Sequence, residues 1–339
     1  MSKSKALTTT KRAGLPAQVI ARVKRYASKS KSDNTQTAYK KQWLAFTMWA
    51  NSITERGDER LTRLARETVA TVEDLLVYLT ALADNGSSVS NIEQARAGIA
   101  FYSQARGLGD VTKDERVKAV MSGIRREKHT APRMKAALTR ADLHTLIATI
   151  DTATLTGARD KALLILGWEG AFRRSEIAAL DVEDIRMNGD MKVTLRKSKT
   201  DQEGAGMVKV IPANDDTPGL CPLRSMRSWL DASGIKSGAI FRRVDRWGHM
   251  RDERLTSQSV ALVIKHYATL AGLEARQLSG HSLRSGFVTS AISAGAAEHD
   301  VMQMTGHKSQ IVLRRYIRDA GLGAKRAARA ARSSNGSQK

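Results

Sequence analysis

Apolar residues along this chain recur mostly at the three-to-four-residue spacing of amphipathic helices. In SDNTQTAYKKQWLAFTMWA, Tyr39, Trp43, Phe46 and Trp49 stand at i, i+4, i+7 and i+10, an aromatic stripe on an otherwise polar helix. ETVATVEDLLVYLTALADNG repeats the spacing with Val69, Val72, Leu75, Leu76 and Leu79 and stops at Asn85-Gly86, a C-cap sequence. SVSNIEQARAGIAFYSQARG and TKDERVKAVMSGIRRE follow. The latter is expected to open with a capping box from Thr112 to Glu115 and to bury Val117, Val120, Met121 and Ile124. A short helix through Leu15, Val19, Val23 and Tyr26 is expected within residues 1–31, a basic arm that is otherwise flexible. Together these segments predict an all-helical domain over residues 32–126.

Residues 127–137, EKHTAPRMKAA, carry Pro132 and no apolar period, and read as a linker. A capping box from Thr139 to Asp142 then starts a helix with Leu143, Leu146, Ile147 and Ile150 inward. ALLILGWEGAF reads as a buried helix leading into RRSEIAAL. The period changes clearly to two only in MKVTLR, residues 191–196, where Met191, Val193 and Leu195 alternate; KSKTDQEGAG and MVKVI follow, predicting a small antiparallel hairpin. Helices resume at CPLRSMRSWLDASG, at TSQSVALVIKHYATLAG, and from His281 to Arg318. The chain is therefore mainly α, with a second, mostly helical domain over residues 138–319 and a basic tail at 320–339. No internal repeat is visible.

Composition adds a partner to this picture. Of 339 residues 41% are hydrophobic and 27% charged, a globular balance long enough for two cores. The formal net charge of +22 points to a polyanion, nucleic acid before membrane. Nine basic residues and no acid precede Asp33, and five basic residues and no acid follow Ala320. One cysteine, Cys221, excludes an intrachain disulfide and fits a reducing compartment. No run is long and apolar enough for a membrane span, and MSKSKALTTTKRAG lacks the apolar core of a secretory signal. A cytoplasmic, nucleoid-associated location in a bacterial, phage or plasmid setting is expected.

Several side chains in the second domain carry chemistry, each with an ordinary structural alternative. Arg173 and Glu176 lie at i, i+3, a spacing equally that of a surface ion pair. Lys199 falls in the hairpin loop, where lysines are normally solvated. His281 and Arg284 share a helix face near Gly280 and Gly286, glycines that permit close backbone approach. His307 follows Gly306 at a helix end. Tyr316 lies between Arg314, Arg315 and Arg318, and also three and four residues after Leu313 and Val312, where a core aromatic would stand. Seven histidines and one cysteine show no zinc spacing, and neither GxxxxGK[ST] nor GxSxG occurs; no cofactor or metal is expected.

Arg173, Lys199, His281, Arg284, His307 and Tyr316 nevertheless occur in the order R-x-x-E, hairpin lysine, H-x-x-R, G-H, tyrosine. In this the chain resembles the tyrosine site-specific recombinases and integrases, with a two-domain layout most like the Cre-type members. The segment HSLRSGFVTSAISAGAAEHDVMQMTGHKSQIVLRRYIRD carries the specific part of the likeness; the first domain matches in pattern only. His307 stands where Cre-type members have tryptophan, histidine being the commoner choice in the wider family. The resemblance implies a DNA breaking-rejoining fold. It also implies that Arg173 and Arg284 clamp a phosphate, Tyr316 attacks it to give a 3′-phosphotyrosine, His281 accepts the phenolic proton, and His307 hydrogen-bonds the phosphate. Lys199 would protonate the 5′-oxygen, and Glu176 would orient the cluster through His281 or an arginine.

The same resemblance implies double-stranded DNA with inverted-repeat sites as partner and a homotetramer on two such sites, working through a Holliday junction without metal. Gln94 and Gln258 match positions placed in the major groove, where glutamine pairs bidentately with adenine. Thr35 and Ser90 are grouped with them as DNA contacts, and Arg243 and Arg246 as phosphate contacts. The tail segment GAKRAARAAR, residues 323–332, is either a helix exchanged between subunits or a phosphate-binding tail. Two other functions stay open: a non-catalytic DNA-binding protein of the same fold, and a type IB topoisomerase-like relaxing enzyme.

Overall fold

The computed structural model describes residues 22, 26, 31–54, 71–105, 109–128, 135–196, 206–214, 216–307, 309–319 and 321. The chain divides into two compact units, Met1–Arg133 and Met134–Lys339. Leu15, Val19, Val23 and Val69, and the tail from residue 322 onward, lie outside the described residues, as does Lys199. No helix among the described residues is long and apolar enough to cross a membrane.

The first unit is built from α1 (Asp33–Thr54), α2 (Val72–Asp84), α3 (Val89–Ala105) and α4 (Glu115–Lys128). The α1 stripe buries Trp43 and Phe46 against α3 and α2, and Ile92, Ile99, Val117 and Met121 complete the core. Its aromatics interlock: Phe46 meets Tyr78 edge-on at 5.2 Å and Trp43 stacks on Tyr102 at 5.6 Å. The α2 N-terminus carries a full capping box, Thr71 with Asp74. The box expected from Thr112 to Glu115 does not form. Asp110 instead caps a 3-10 turn over Val111–Lys113 and takes the Thr112 hydroxyl at 2.6 Å. The α4 helix begins only at Glu115, with the Asp114 carboxylate accepting from Arg116 N–H at 2.9 Å. An aspartate one residue before the first turn outcompetes the threonine two residues ahead of it, because its carboxylate reaches the same orphan donors with full charge.

The α4 helix runs to Lys128, two residues into the segment read as a linker. At that segment's other end Ala136 N–H donates to Gln277 O at 2.8 Å, inside the second unit.

The second unit opens with α5 (Arg140–Ala148), capped by the Thr139–Asp142 box. The α6 helix (Leu155–Glu169) has Ala162 to Leu166 wholly buried and forms the middle of the core. Around it pack α7 (Arg174–Ala179), α8 (Pro222–Ser233) and α10 (Ser282–Ser293), while α9 (Ser257–Leu270) packs on α7. The α8 helix has Pro222 first and Gly234 as its left-handed C-cap (φ 67°), the Pro-start and Gly-stop its sequence announces. The close approach of α10 has one visible requirement: a Cβ at Gly286 would stand 1.7 Å from Leu138 O, which already accepts from Trp168 Nε1. The chain ends its described part with α11 (Glu298–Thr305) and α12 (Gln310–Asp319).

The β structure exceeds the single hairpin of the sequence reading. A three-stranded antiparallel sheet has the order β1 (Ile185–Asn188), β2 (Asp190–Leu195), β3 (Met207–Ile211), and β4 (Arg242–Val244) pairs with β5 (Met250–Arg254). In β2 and β3 the register Val193 to Lys209 and Met191 to Ile211 puts these residues on the core face. β4 and β5 escape sequence reading because they are short and largely exposed on both faces, so no apolar alternation marks them, and β1 alternates Ile185 and Met187 with Arg186 and Asn188 over only four residues.

Candidate active site

The dipeptide Arg173-Arg174 sits where α6 ends and α7 begins. Gly170, Ala171 and Phe172 make the turn, and Ala171 adopts φ 47°, the one left-handed non-glycine among the described residues. Arg173 is the N-cap residue of α7, and Glu176 is the third helical residue, so the R-x-x-E spacing is a capping geometry. One carboxylate oxygen accepts from Arg173 N–H at 2.9 Å and the other from its Nη1 at 2.5 Å. Of the two partners left open by the sequence, Glu176 takes the arginine. The carboxylate is 4% exposed, so this bidentate contact fixes the guanidinium from its own backbone outward.

His281 and Arg284 enter from the start of α10. Arg284 is wholly buried; its Nη1 donates to Ala171 O at 2.9 Å and its Nη2 to Thr305 O at 2.5 Å. Burial, then the neighbouring Arg173 charge, lowers its pKa to about 10, which leaves it cationic at neutral pH. Its Nε–H is buried with no hydrogen-bond partner. His281, exposed at the helix N-cap, places Nε2 in hydrogen-bond contact with the Tyr316 hydroxyl.

His307 arrives just after the left-handed C-cap Gly306 (φ 68°) of α11. Its Nε2 lies 3.2 Å from Arg284 Nη2 and its Nδ1 2.8 Å from Thr305 Oγ1. Burial, followed by the charges of Arg284 and Arg173, depresses its pKa to about 3, so the ring is neutral. Because a guanidinium can only donate, Nε2 is the acceptor and the single ring proton sits on Nδ1, facing Thr305. The Thr305 hydroxyl in turn donates to Val301 O at 2.6 Å.

Tyr316 rides on α12, 8% exposed, with Val288, Ile292, Val301 and Leu313. Its ring is part of a small apolar cluster, and its hydroxyl projects to His281. The phenol is 5.7 Å, ring to ring, from His307 and lies in the field of Arg284. Arg314 points elsewhere, 3.7 Å from Glu298.

Arg173, Glu176, His281, Arg284, His307 and Tyr316 thus converge from four separated segments. The sequence reading missed two further participants. Thr305, 1% exposed, ties Arg284 and His307 together. Lys209 on β3, 2% exposed, donates to Gly170 O at 2.5 Å and senses the charges of Glu176, Arg284 and Arg173. A signal for Lys209 was present: in MVKVI the alternation puts the lysine on the face of Met207 and Ile211 and leaves Val208 and Val210 outside, 58% and 47% exposed. Such a cationic cluster with one carboxylate is suited to an anion, and the phenol with its histidine to nucleophilic attack on it.

The expected DNA contacts lie apart from this cluster. Ser90 and Gln94 are exposed on α3, with Gln94 accepting from Gln42 Nε2 at 3.2 Å; Thr35 is half-buried in the first turn of α1, 2.9 Å from Ser32 Oγ. In the second unit Gln258 is exposed in the first turn of α9, and Arg243 and Arg246 are exposed around the β4–β5 hairpin, Arg246 lying 4.2 Å over the Trp247 ring. Among the described residues no group of His, Cys, Asp and Glu side chains is arranged to hold a metal ion.

Comparison with known proteins follows the same outline. The profile described as the phage integrase family matches residues 136–321. An integrase/recombinase XerD homolog of Selenomonas ruminantium is 36% identical over 309 residues, covering 89% of this chain and 86% of that protein. The tyrosine recombinase XerD of Pseudomonas aeruginosa is 24% identical over 286 residues, covering 83% and 85%. Among solved structures, XerH site-specific recombinase bound to difH substrate, a pre-cleavage complex, matches with TM-score 0.53 at 17% identity over 84% of this chain and 76% of that one. A lambda integrase dimer bound to a COC′ core site matches with TM-score 0.52 at 14% identity over 88% and 84%. At these identities the two structures establish a shared fold.

Proposed function

Because the chain belongs to the phage integrase family and is a tyrosine recombinase, we propose that it cuts and rejoins double-stranded DNA at two short target sites through a phosphotyrosine formed on Tyr316. The observation that carries this reading is the hydrogen bond between the Tyr316 hydroxyl and His281 Nε2 beside two fixed guanidinium groups. The phenolic oxygen attacks phosphorus and its proton passes to His281 Nε2; the bond from phosphorus to the 5′-oxygen breaks, and that oxygen takes a proton from a general acid, the role assigned to Lys199. The phosphodiester energy is kept in the tyrosyl ester, so the 5′-hydroxyl of another strand can reverse the step.

Arg173 and Arg284 neutralise the developing phosphorane charge, worth most where water is excluded. The buried, unpartnered Nε–H of Arg284 is a donor that such an anion satisfies. A phosphate contact from His307 requires its ring proton on Nε2, so the incoming anion must draw Arg284 Nη2 away from that nitrogen. Exchange between two duplexes needs two cuts in each and proceeds through a Holliday junction. That requirement supports a homotetramer on paired inverted repeats, with Thr35, Ser90, Gln94, Arg243, Arg246 and Gln258 facing DNA. The charge of the chain supports a place at the nucleoid.

A nicked duplex bearing the sequence that the protein enriches from a random-sequence duplex pool tests this reading. Wild-type protein is expected to form a detergent-resistant adduct mapping to Tyr316, in EDTA and without ATP, and Tyr316→Phe none. An adduct that survives Tyr316→Phe refutes the nucleophile. Excision between two such sites marks a recombinase; relaxation of supercoils without excision marks a topoisomerase-like enzyme.

A further inference from the structure

Lys209 has no assigned part in this chemistry, yet its side chain is spent wholly on the catalytic turn. It reaches across from β3 to three consecutive residues: Nζ lies 2.5 Å from Gly170 O and 3.4 Å from Ala171 O, and 4.4 Å from the centre of the wholly buried Phe172 ring. The next residue is Arg173. The Ala171 carbonyl that Lys209 approaches is the same one that accepts from Arg284 Nη1. One strained turn therefore carries Arg173 covalently and holds Arg284 by hydrogen bond, and Lys209 fastens it to the sheet.

Resting on the assignment of Tyr316 as nucleophile and the two arginines as its clamp, we propose that Lys209 is a positioning residue for strand cleavage: it locks the Gly170–Phe172 turn so that both guanidinium groups meet the phosphate in register. Two physical points support this. A left-handed alanine is strained and persists only where its surroundings hold it. Burial of this third cation, opposed by the Glu176 carboxylate and reinforced by repulsion from Arg284 and Arg173, lowers the Lys209 pKa to about 7. A strand whose core face otherwise carries Met207 and Ile211 accepts that cost in this one place. The anion bound during the reaction reverses the repulsion, so the arrangement is better balanced with substrate than without it.

The test measures the rate of adduct formation on the nicked duplex, and affinity for the same duplex, for Lys209→Met, Lys209→Arg and Tyr316→Phe. Lys209→Met removes donor and charge at nearly equal length. It is expected to slow the adduct step on the order of 10²-fold, the usual effect of a roughly 1 Å misplacement of catalytic groups, while affinity stays within about 2-fold. Lys209→Arg, which restores a cationic donor, is expected to regain most of the lost rate. If Lys209→Met does not fold, Lys209→Gln, an uncharged donor, takes its place, with a rate expected below wild type.

A wild-type rate in Lys209→Met, or a loss of rate matched by loss of affinity and not repaired by Lys209→Arg, overturns the role of Lys209. An adduct in Tyr316→Phe instead overturns the site assignment itself.

Discussion

The two units of this protein solve the problem of an interior in opposite ways. In the first, the described interior is apolar and aromatic, and its buried polar groups are few: Gln42, Asp74, Ser103 and Thr112, with Asp74 and Thr112 closing helix caps. In the second, Arg159, Asp160, Glu176, Asp184, Lys209 and Arg284 are all buried. Ionised groups gain little stability when buried and cost several kcal/mol each to desolvate. Their concentration in one unit is the mark of a function. Arg159 and Asp160 pair with each other at 2.7 Å, whereas Arg284 and Lys209 are held mainly by backbone carbonyls, leaving net positive charge around the tyrosine. The Arg159–Asp160 pair cancels its own charge, whereas groups held by neutral carbonyls leave an excess of positive charge that suits an anion.

The largest expected effect lies at Arg284. Replacement by lysine keeps the charge but loses the fork that reaches Ala171 O and Thr305 O together. The adduct step should fall about 10²-fold or more, while a mobility-shift assay shows duplex binding retained. Equal activity would mean that the buried fork is structural and would break the contrast. In the first unit the corresponding extreme is Phe46, packed edge-on against Tyr78. Phe46→Ala should cost about 3–5 kcal/mol in urea unfolding followed by tryptophan fluorescence.

The pH dependence sharpens the contrast further. Both Lys209 and His307 bind a proton less readily in the folded protein: about 7 against an ordinary 10.5, and about 3 against 6.5. In each window the unfolded chain takes up more protons, so stability rises with pH across it and is lost as pH falls. The melting temperature of wild type relative to Lys209→Met should therefore climb between pH 7 and about pH 9, and that of wild type relative to His307→Gln should drop on acidification from 6.5 towards 3. A pH-independent difference in either pair would show that the group is not buried in solution. The smallest effect belongs to the exposed glutamines: Gln258→Ala should relax preference at one base pair by about 1–3 kcal/mol in competition binding, leaving the melting curve unmoved.

Much of this architecture was legible beforehand, because local patterns report local forces. The stripe Trp43, Phe46, Trp49 and the box Thr139–Asp142 need only helix geometry to be read, and both are found as read, with Tyr39 half-buried against Phe101 at the stripe's end. The box at Thr112 failed because Asp114 lay closer to the same donors, a competition that spacing alone does not rank. The exposed strands β4 and β5 left no alternation to detect.

By itself the sequence determined which side chains are available and in what order: two arginines, two histidines, a glutamate and a late tyrosine, on helices whose inward faces are written in their periodicity. Only the tertiary structure decided that Glu176 serves Arg173, that the His307 proton faces Thr305, and that the lysine of β3 grips the turn before Arg173. Two of these are set by contacts with α10 and across 38 residues to β3, and all of them by a buried environment that no single segment creates. Periodicity records which face of an element turns inward; the charge, tautomer and partner of what it finds there depend on everything else that is folded around it.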